Sequence, residues 1–402
     1  MRPLLPARWL AVGAFTLFTA LNYLDRQTLA ALAPRLKAEF QLTNEDYGWL
    51  QSAFYLVYAL CAPFAGLFID RVGLSAGAMV SIVVWSLAAV ATGLVDGFAG
   101  LFACRMLLGA AEAGGIPAFG KASATYLHPR ERALGTGVNQ LGLSLGSMAA
   151  PLLAVYVAER FGWRAAFAVA GGLGLFWAPL WRGVHRRVGE GTAISPAPHA
   201  SGAGEVARDA RLWALVAGNI LIMTVYSLWT NWTTIFLVQQ YHLTAAEANQ
   251  RYAWIPPIFA ALGGLFGGWM ALYLMKRGAT VMQARDRSIL AGCLALLATM
   301  AVPLMREPGW AIATVSASFF LSVAVSANMY ALPQDIFGAK RAAFAVSAIT
   351  SGYGLMLTFF SPLVGFLVDD FGFLPVCMLS SVLPLAGWAL MKATTFRAEA
   401  AA

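Results

Sequence analysis

The chain reads as long apolar stretches separated by short clusters of charged and turn-forming residues. The stretches cover approximately 9–33, 48–69, 75–95, 98–120, 133–157, 163–184, 212–238, 252–275, 287–305, 309–331, 342–367 and 373–392. A membrane-spanning helix needs roughly 20 consecutive apolar residues, and these stretches meet or approach that length. They are longer than the alternating segments of about ten residues that build a membrane barrel. The pattern predicts an all-α polytopic membrane protein with twelve transmembrane helices.

Two interhelical stretches are longer than the rest, 185–211 and 276–286. The first, HRRVGEGTAISPAPHASGAGEVARDAR, is rich in Gly, Ala, Ser and Pro and has no periodicity. It reads as a flexible cytoplasmic linker between a six-helix half at 1–184 and a second at 212–402. A weak repeat supports the division. Pro151 with Phe161-Gly162 recurs as Pro362 with Phe371-Gly372, and GLFIDRVG (66–73) is matched by GGWMALYLMKRG (267–278). The expected architecture is two pseudo-symmetric halves. Three glycine pairs, Gly142/Gly146, Gly263/Gly267 and Gly264/Gly268, place small residues on one helix face, which suits close helix packing.

Composition narrows the class. Of 402 residues, 59% are hydrophobic and only 11% charged, against about 25% charged in an ordinary soluble domain. That excludes a soluble enzyme, a coiled coil and a disordered chain. Net charge is +8, but the basic residues are scattered through loops, so nucleic-acid binding is not expected. With the N-terminus in the cytoplasm, 18 of the 27 Lys and Arg fall on the cytoplasmic side, six on the other, and Arg26, Arg105 and Lys121 within spans. This asymmetry predicts cytoplasmic N- and C-termini in a bacterial inner membrane. The start, MRPLLPARWLAVGAF, runs into polar Asn22-Tyr23-Leu24-Asp25-Arg26 with no cleavage site. It reads as the first span and not as a signal peptide.

Cys61, Cys104, Cys293 and Cys377 stand singly in apolar runs, a pattern of neither disulfides nor metal binding. The four histidines (His128, His185, His199, His242) lack metal spacing. No nucleophile motif accompanies them, so a membrane enzyme is disfavoured. No catalytic residue, metal or resident cofactor is expected, and the lipid bilayer is the expected surrounding of a functional monomer.

Four charges break the apolar pattern inside spans: Asp25, Arg26, Arg105 and Glu112. A charge at the bilayer centre costs at least about 2.5–3.5 kcal/mol on insertion scales, and such groups mark substrate and proton pathways. Asn22, Asp25 and Arg26 share a helix face, with Tyr23 one turn before Arg26. Arg105, Gly109 and Glu112 form a stripe at i, i+4 and i+7. Structural ion pairs, Asp25–Arg105 or Arg26–Glu112, are the plainer reading. The functional reading divides the labour: arginine binds a carboxylate in a fork, while a carboxyl group that alternates between wet and dry surroundings gains and loses a proton. A mixed-sign cluster is unlike the single-sign ring of a channel. It suits an organic anion that moves together with protons.

Lys121 lies nine residues after Glu112, on the opposite face of an unbroken helix. Gly114, Gly115 and Pro117 intervene and can redirect it, which leaves snorkelling and substrate contact both open. The second half offers neutral polar groups: Asn219, Tyr226, Thr230, Asn231 and Thr233; Ser322, Ser326, Asn328 and Tyr330; Ser347, Thr350, Ser351 and Tyr353. Singly they suit helix-packing hydrogen bonds. Together they suit a substrate that bears several hydroxyls.

The run LNYLDRQTLAALAPRLKAEFQLTNEDYGWLQSAFYLVYAL (21–60), with GLFIDRVG (66–73) and RMLLGAAEAGGIPAFGKASATYLHPRERALGTG (105–137), resembles the anion:cation symporter family of the major facilitator superfamily. The resemblance is strongest to its hexuronate transporters around Lys121. In the second half it is general, carried by WTNWTTIFLVQQYHLT (229–244) and FFSPLVGFLVDDFG (359–372). It implies proton-coupled symport of a sugar acid, a hexuronate or aldonate, by alternating access. Monocarboxylate or dicarboxylate transport, sodium coupling and efflux are the alternatives within the fold. By the same resemblance, Asp25 and Glu112 match the proton-linked acids. Arg26 and Arg105 match the cationic pair, and Tyr23 matches a substrate-contacting tyrosine. The family's helix-5 asparagine falls on Gln140, with Asn139 just before it, and its helix-11 asparagine is replaced, with Ser351 or Leu355 at the site. The turn after GLFIDRVG lacks the usual basic residues.

Overall fold

The computed structural model describes residues 7–127, 131–188, 203–337 and 342–396. Helices make up nearly all of them, and no strand occurs among them. The first part of the chain holds α1 (Ala7–Phe40), α2 (Asn44–Val72), α3 (Leu74–Thr92), α4 (Phe98–Glu112), α5 (Gly115–Tyr126), α6 (Arg132–Phe161) and α7 (Trp163–Val188). Then come α8 (Ala203–Arg208), α9 (Ala210–Ile222), α10 (Thr224–Tyr241) and α11 (Ala245–Glu247), followed by a π-helical turn (Ala248–Ala253). The remainder is α12 (Pro256–Lys276), α13 (Val281–Leu296) with a 3-10 extension (Leu297–Leu304), α14 (Pro308–Met329), α15 (Leu332–Phe337), α16 (Ala342–Phe371) and α17 (Phe373–Met391).

Among the described residues, nine helical segments are long and apolar enough to cross a membrane. The helices α1, α2 and α7 fall outside that group; α1 holds Asn22, Asp25, Arg26 and Gln27 in its middle turns. Large apolar side chains face outward along many helices, among them Phe64, Leu67, Phe176, Leu265, Leu272 and Phe359. That is the surface a lipid-embedded bundle presents.

The helices differ from the apolar pattern where local chemistry overrides it. The stretch 98–120 is two helices, because α4 ends at Glu112 and a turn at Ala113–Gly114 precedes α5. α1 runs past Pro34 to Phe40, although proline lacks the N–H of a helical bond. Polar 276–286 was expected to be a loop, yet Thr280 and Gln283 form a capping box that starts α13 at Val281. The expected linker 185–211 is helical at both ends. α7 carries His185, Arg186 and Arg187 in its last turn, where a cation suits the helix dipole. Asp209 caps α9 through the Arg211 N–H. Residues 189–202 of that linker lie outside the described residues.

The chain forms two compact units, Met1–Ala197 with Leu243–Trp254, and Pro198–His242 with Ile255–Ala402. In the first, glycines set the α1–α6 contact. A Cβ at Gly142 would lie 2.5 Å from the Thr16 carbonyl oxygen, and one at Gly146 2.1 Å from that of Ala20. An aromatic cluster of Phe15, Phe18, Trp85, Trp177 and Trp181 fills the space between α1, α3 and α7. The segment 243–254 packs here as well: buried Asn249 donates to the Ala31 carbonyl at 3.0 Å and Gln250 to Glu159 at 3.2 Å. In the second unit, Gly263 and Gly267 play the corresponding part, with Cβ positions 2.1 and 2.3 Å from the Phe320 and Ala324 carbonyls of α14.

Candidate functional site

Three helices of the first unit assemble the intramembrane charges. α1 supplies Asn22, Tyr23, Asp25 and Arg26; α2 supplies Tyr47, Gln51, Phe54 and Tyr58; α4 supplies Arg105 and Glu112. On α4, Gly109 lies between the two charged residues. A Cβ there would be 2.4 Å from the Phe54 carbonyl oxygen, so glycine is what lets the α2 backbone approach. Phe54 thereby reaches both cations. Its ring centroid is 4.7 Å from Arg26 Cζ and 4.6 Å from Arg105 Cζ, within the range of cation–π attraction.

The two arginines have different partners. Arg26 donates from Nε and Nη2 to Glu112 Oε2, at 3.2 and 3.0 Å, and from Nη2 to Asn22 Oδ1 at 3.3 Å. The rings of Tyr23 and Tyr58 complete its surroundings at 4.9 and 5.1 Å. Glu112 is fully buried, and its Oε1 has no hydrogen-bond partner among the described residues. Arg105 is only 2% exposed, but no carboxylate lies at ion-pair distance from it among the described residues. Its Nη2 donates to Gln51 Oε1 at 3.1 Å, and Gln51 Nε2 in turn donates to the Tyr47 hydroxyl at 2.6 Å. Arg105 Nε is buried without a hydrogen-bond partner among the described residues. A desolvated guanidinium held by one neutral acceptor keeps a large appetite for an anion.

Asp25 does not pair with Arg105. It is buried at 3% exposure, neither carboxylate oxygen makes a hydrogen bond among the described residues, and its polar neighbour is Trp85 on α3. Of the two ion pairs considered from sequence, Arg26–Glu112 forms and Asp25–Arg105 does not.

The other candidate residues are placed as follows. Lys121, on α5 beyond the Ala113–Gly114 turn, donates to the Ile69 carbonyl at 3.0 Å near the end of α2. Asn139 accepts from Thr19 at 2.7 Å across the α1–α6 contact, while Gln140 is exposed. In the second unit, Tyr226 packs on Phe319 with centroids 5.2 Å apart, and Asn231 donates to the Ser227 carbonyl at 3.1 Å. Thr230 Oγ1 is buried without a hydrogen-bond partner among the described residues, and Ser351 is exposed. Sequence reasoning missed Gln51, Phe54 and Tyr58. They recur at i, i+3 and i+7 along α2, but a neutral glutamine and aromatic residues in a span break no rule, so the spacing alone did not single them out. Among the described residues, no group of three or more His, Cys, Asp or Glu is arranged to hold a metal.

This charged interior inside a helical bundle can be set beside known proteins. The family model of the Major Facilitator Superfamily matches residues 15–360. The chain belongs to that superfamily. Among curated relatives, the hexuronate transporter of Escherichia coli K12 is 28% identical, over 96% of this chain and 94% of that protein. The galacturonate transporter of Dickeya chrysanthemi is 28% identical, over 76% and 94%. The D-galactonate transporter of Escherichia coli O6:H1 is 25% identical, over 94% of each. The fold matches the crystal structure of a bacterial homolog of the human lysosomal transporter Spinster, inward-facing and occupied. The TM-score is 0.80 at 19% identity, over 98% of both chains. This superfamily member is thus a multi-pass membrane transporter and not an enzyme.

Proposed function

We propose that the protein is a secondary active transporter that carries a small sugar acid, of the hexuronate or aldonate class, together with protons. The observation that carries this reading is the asymmetry of the two buried arginines: Arg26 is ion-paired with Glu112, whereas Arg105 makes no contact ion pair with any described carboxylate and feels Glu112 only from beyond ion-pair distance. Arg105 is then the receptor for the substrate carboxylate, which it can hold in a fork. Protonation of Glu112 removes the counter-ion of Arg26 and releases a second guanidinium toward the substrate. Proton and anion thus favour each other's binding, and coupling by linkage requires just that. Asp25, beside Trp85, is the second proton-linked acid. The hexuronate, galacturonate and galactonate transporters among the relatives support the substrate class.

Tyr23 contacts the substrate beside Arg26. Tyr226, Thr230, Asn231 and Ser351, in the second unit, read hydroxyls, while Asn139, Gln140 and Lys121 tune the sugar end and the cytoplasmic side. Transport proceeds by alternating access of the two halves about a midplane site, as in other transporters built from repeats. The charge asymmetry of the loops supports an inner-membrane location with both termini in the cytoplasm. The protein works as a monomer, with the proton as coupling ion. The test is uptake into proteoliposomes of D-glucuronate, D-galacturonate and D-galactonate at two pH values, with and without sodium. Accumulation driven by an inward proton gradient and indifferent to sodium is expected. Accumulation that needs sodium, or none for any of the three, overturns the reading.

A further inference from the structure

Gln51 has no part in the proton and anion assignments above, yet it is the side chain that fixes Arg105. It is 1% exposed, about two turns into α2. Its two amide atoms are used in opposite directions: Oε1 accepts from Arg105 at 3.1 Å, and Nε2 donates to the Tyr47 hydroxyl one turn earlier at 2.6 Å. The Arg105 contact settles the orientation of the amide, since a guanidinium only donates and must meet the carbonyl end, while the Tyr47 hydroxyl can accept from the NH2 end. Phe54, on the next turn, holds the face of the same guanidinium at 4.6 Å. Tyr47, Gln51 and Phe54 are thus a clamp along one stripe of α2.

The chemistry of the clamp is specific. A glutamate at this place would offer the same reach and also cancel the charge of Arg105. An amide orients the cation and leaves its charge available. We propose that Gln51 is a positioning residue for carboxylate recognition: it fixes the guanidinium of Arg105 through a neutral hydrogen bond, so that the place of a contact ion pair is left to the substrate carboxylate. This rests on the assignment of Arg105 as substrate receptor.

The proposal separates two substitutions that a merely structural glutamine would not separate. Gln51→Glu places a built-in anion on Arg105, and Gln51→Leu removes the hydrogen bond without adding charge. Binding is followed by the thermal shift of purified protein with D-glucuronate, D-galacturonate and D-galactonate, and KM by uptake into proteoliposomes. For Gln51→Glu, KM is expected to rise by about tenfold or more at neutral pH, because the introduced carboxylate competes with the substrate. The defect should persist down to about pH 5, since a glutamate has an ordinary pKa of about 4.3 and a neighbouring guanidinium favours its ionised form. For Gln51→Leu, a rise of several-fold with the parent's pH profile is expected. Equal KM values for Gln51→Glu and the parent at every pH overturn the proposal. So does a KM for Gln51→Glu no higher than that for Gln51→Leu. Arg105→Ala, measured alongside, tells the two failures apart. If it binds normally, the receptor assignment itself fails; if it does not bind and Gln51→Glu is neutral, only the positioning role fails. A parent that binds none of the three acids overturns both.

Discussion

Arg26 and Arg105 sit on either side of one rule of membrane energetics, that a charge in hydrocarbon must be compensated or used. Arg26 is compensated by Glu112, so neither is free to act alone. Arg105→Ala should abolish sugar-acid binding, since truncating one member of a buried charged contact costs about 2–5 kcal/mol, at least roughly thirtyfold in affinity. Thermal shift of the purified variant checks this, and normal binding would remove Arg105 from the site. Asp25 has a different environment, beside an indole and without a cation at ion-pair distance among the described residues. Asp25→Asn should alter the pH dependence of uptake while leaving binding at a single pH within a few-fold of the parent; an unchanged pH profile would deny it a proton-linked role. The four charges were legible in the sequence because each defies the cost of burial. Gln51, Phe54 and Tyr58 were not, since a neutral residue in an apolar helix violates nothing. They gain meaning only from the tertiary approach of α2 to α4, and the residue that permits it is Gly109.

Glycine decides how the helices meet. Two overlapping frames, Gly263/Gly267 and Gly264/Gly268, were indistinguishable in the sequence, and packing separates them. A Cβ at Gly267 meets the Ala324 carbonyl at 2.3 Å, and at Gly268 it meets nothing within 4 Å. Gly267→Ala should therefore destabilise the second unit by about 1–3 kcal/mol, as overpacking does. Gly268→Ala should be neutral or slightly stabilising, as a helical glycine replaced by alanine is. Thermal denaturation in detergent compares the two, and equal melting temperatures would contradict the packing. Gly109→Ala has a functional consequence as well. It pushes Phe54 away from the two guanidinium groups, so binding should fall along with stability. The ends of elements were harder to read than their existence. Polar residues in the first turn of α13 signalled a loop, but the Thr280–Gln283 capping box makes them helical. The turn at Ala113–Gly114 was foreshadowed by the glycines that follow Glu112.

For the whole molecule, the long apolar runs were enough to announce a helical membrane protein, because a helix in lipid needs length and little else. They did not announce that Leu243–Trp254, joined at both ends to helices of the second unit, packs with the first unit through Asn249 and Ala31. That contact joins positions distant in sequence and has no periodic signature. The loop charges add a prediction at this scale: a reporter fused to the C-terminus should behave as cytoplasmic, with green fluorescent protein bright and alkaline phosphatase inactive. The opposite result would invert the orientation. In the proposed mechanism, Glu112 links the proton to the anion by holding and releasing Arg26. Its most direct test compares parent and Glu112→Gln in proteoliposomes, with D-glucuronate counterflow and pH-gradient-driven accumulation measured on the same preparations. The parent is expected to do both, and Glu112→Gln to retain counterflow but lose accumulation. Accumulation by Glu112→Gln at the parent's level would contradict it.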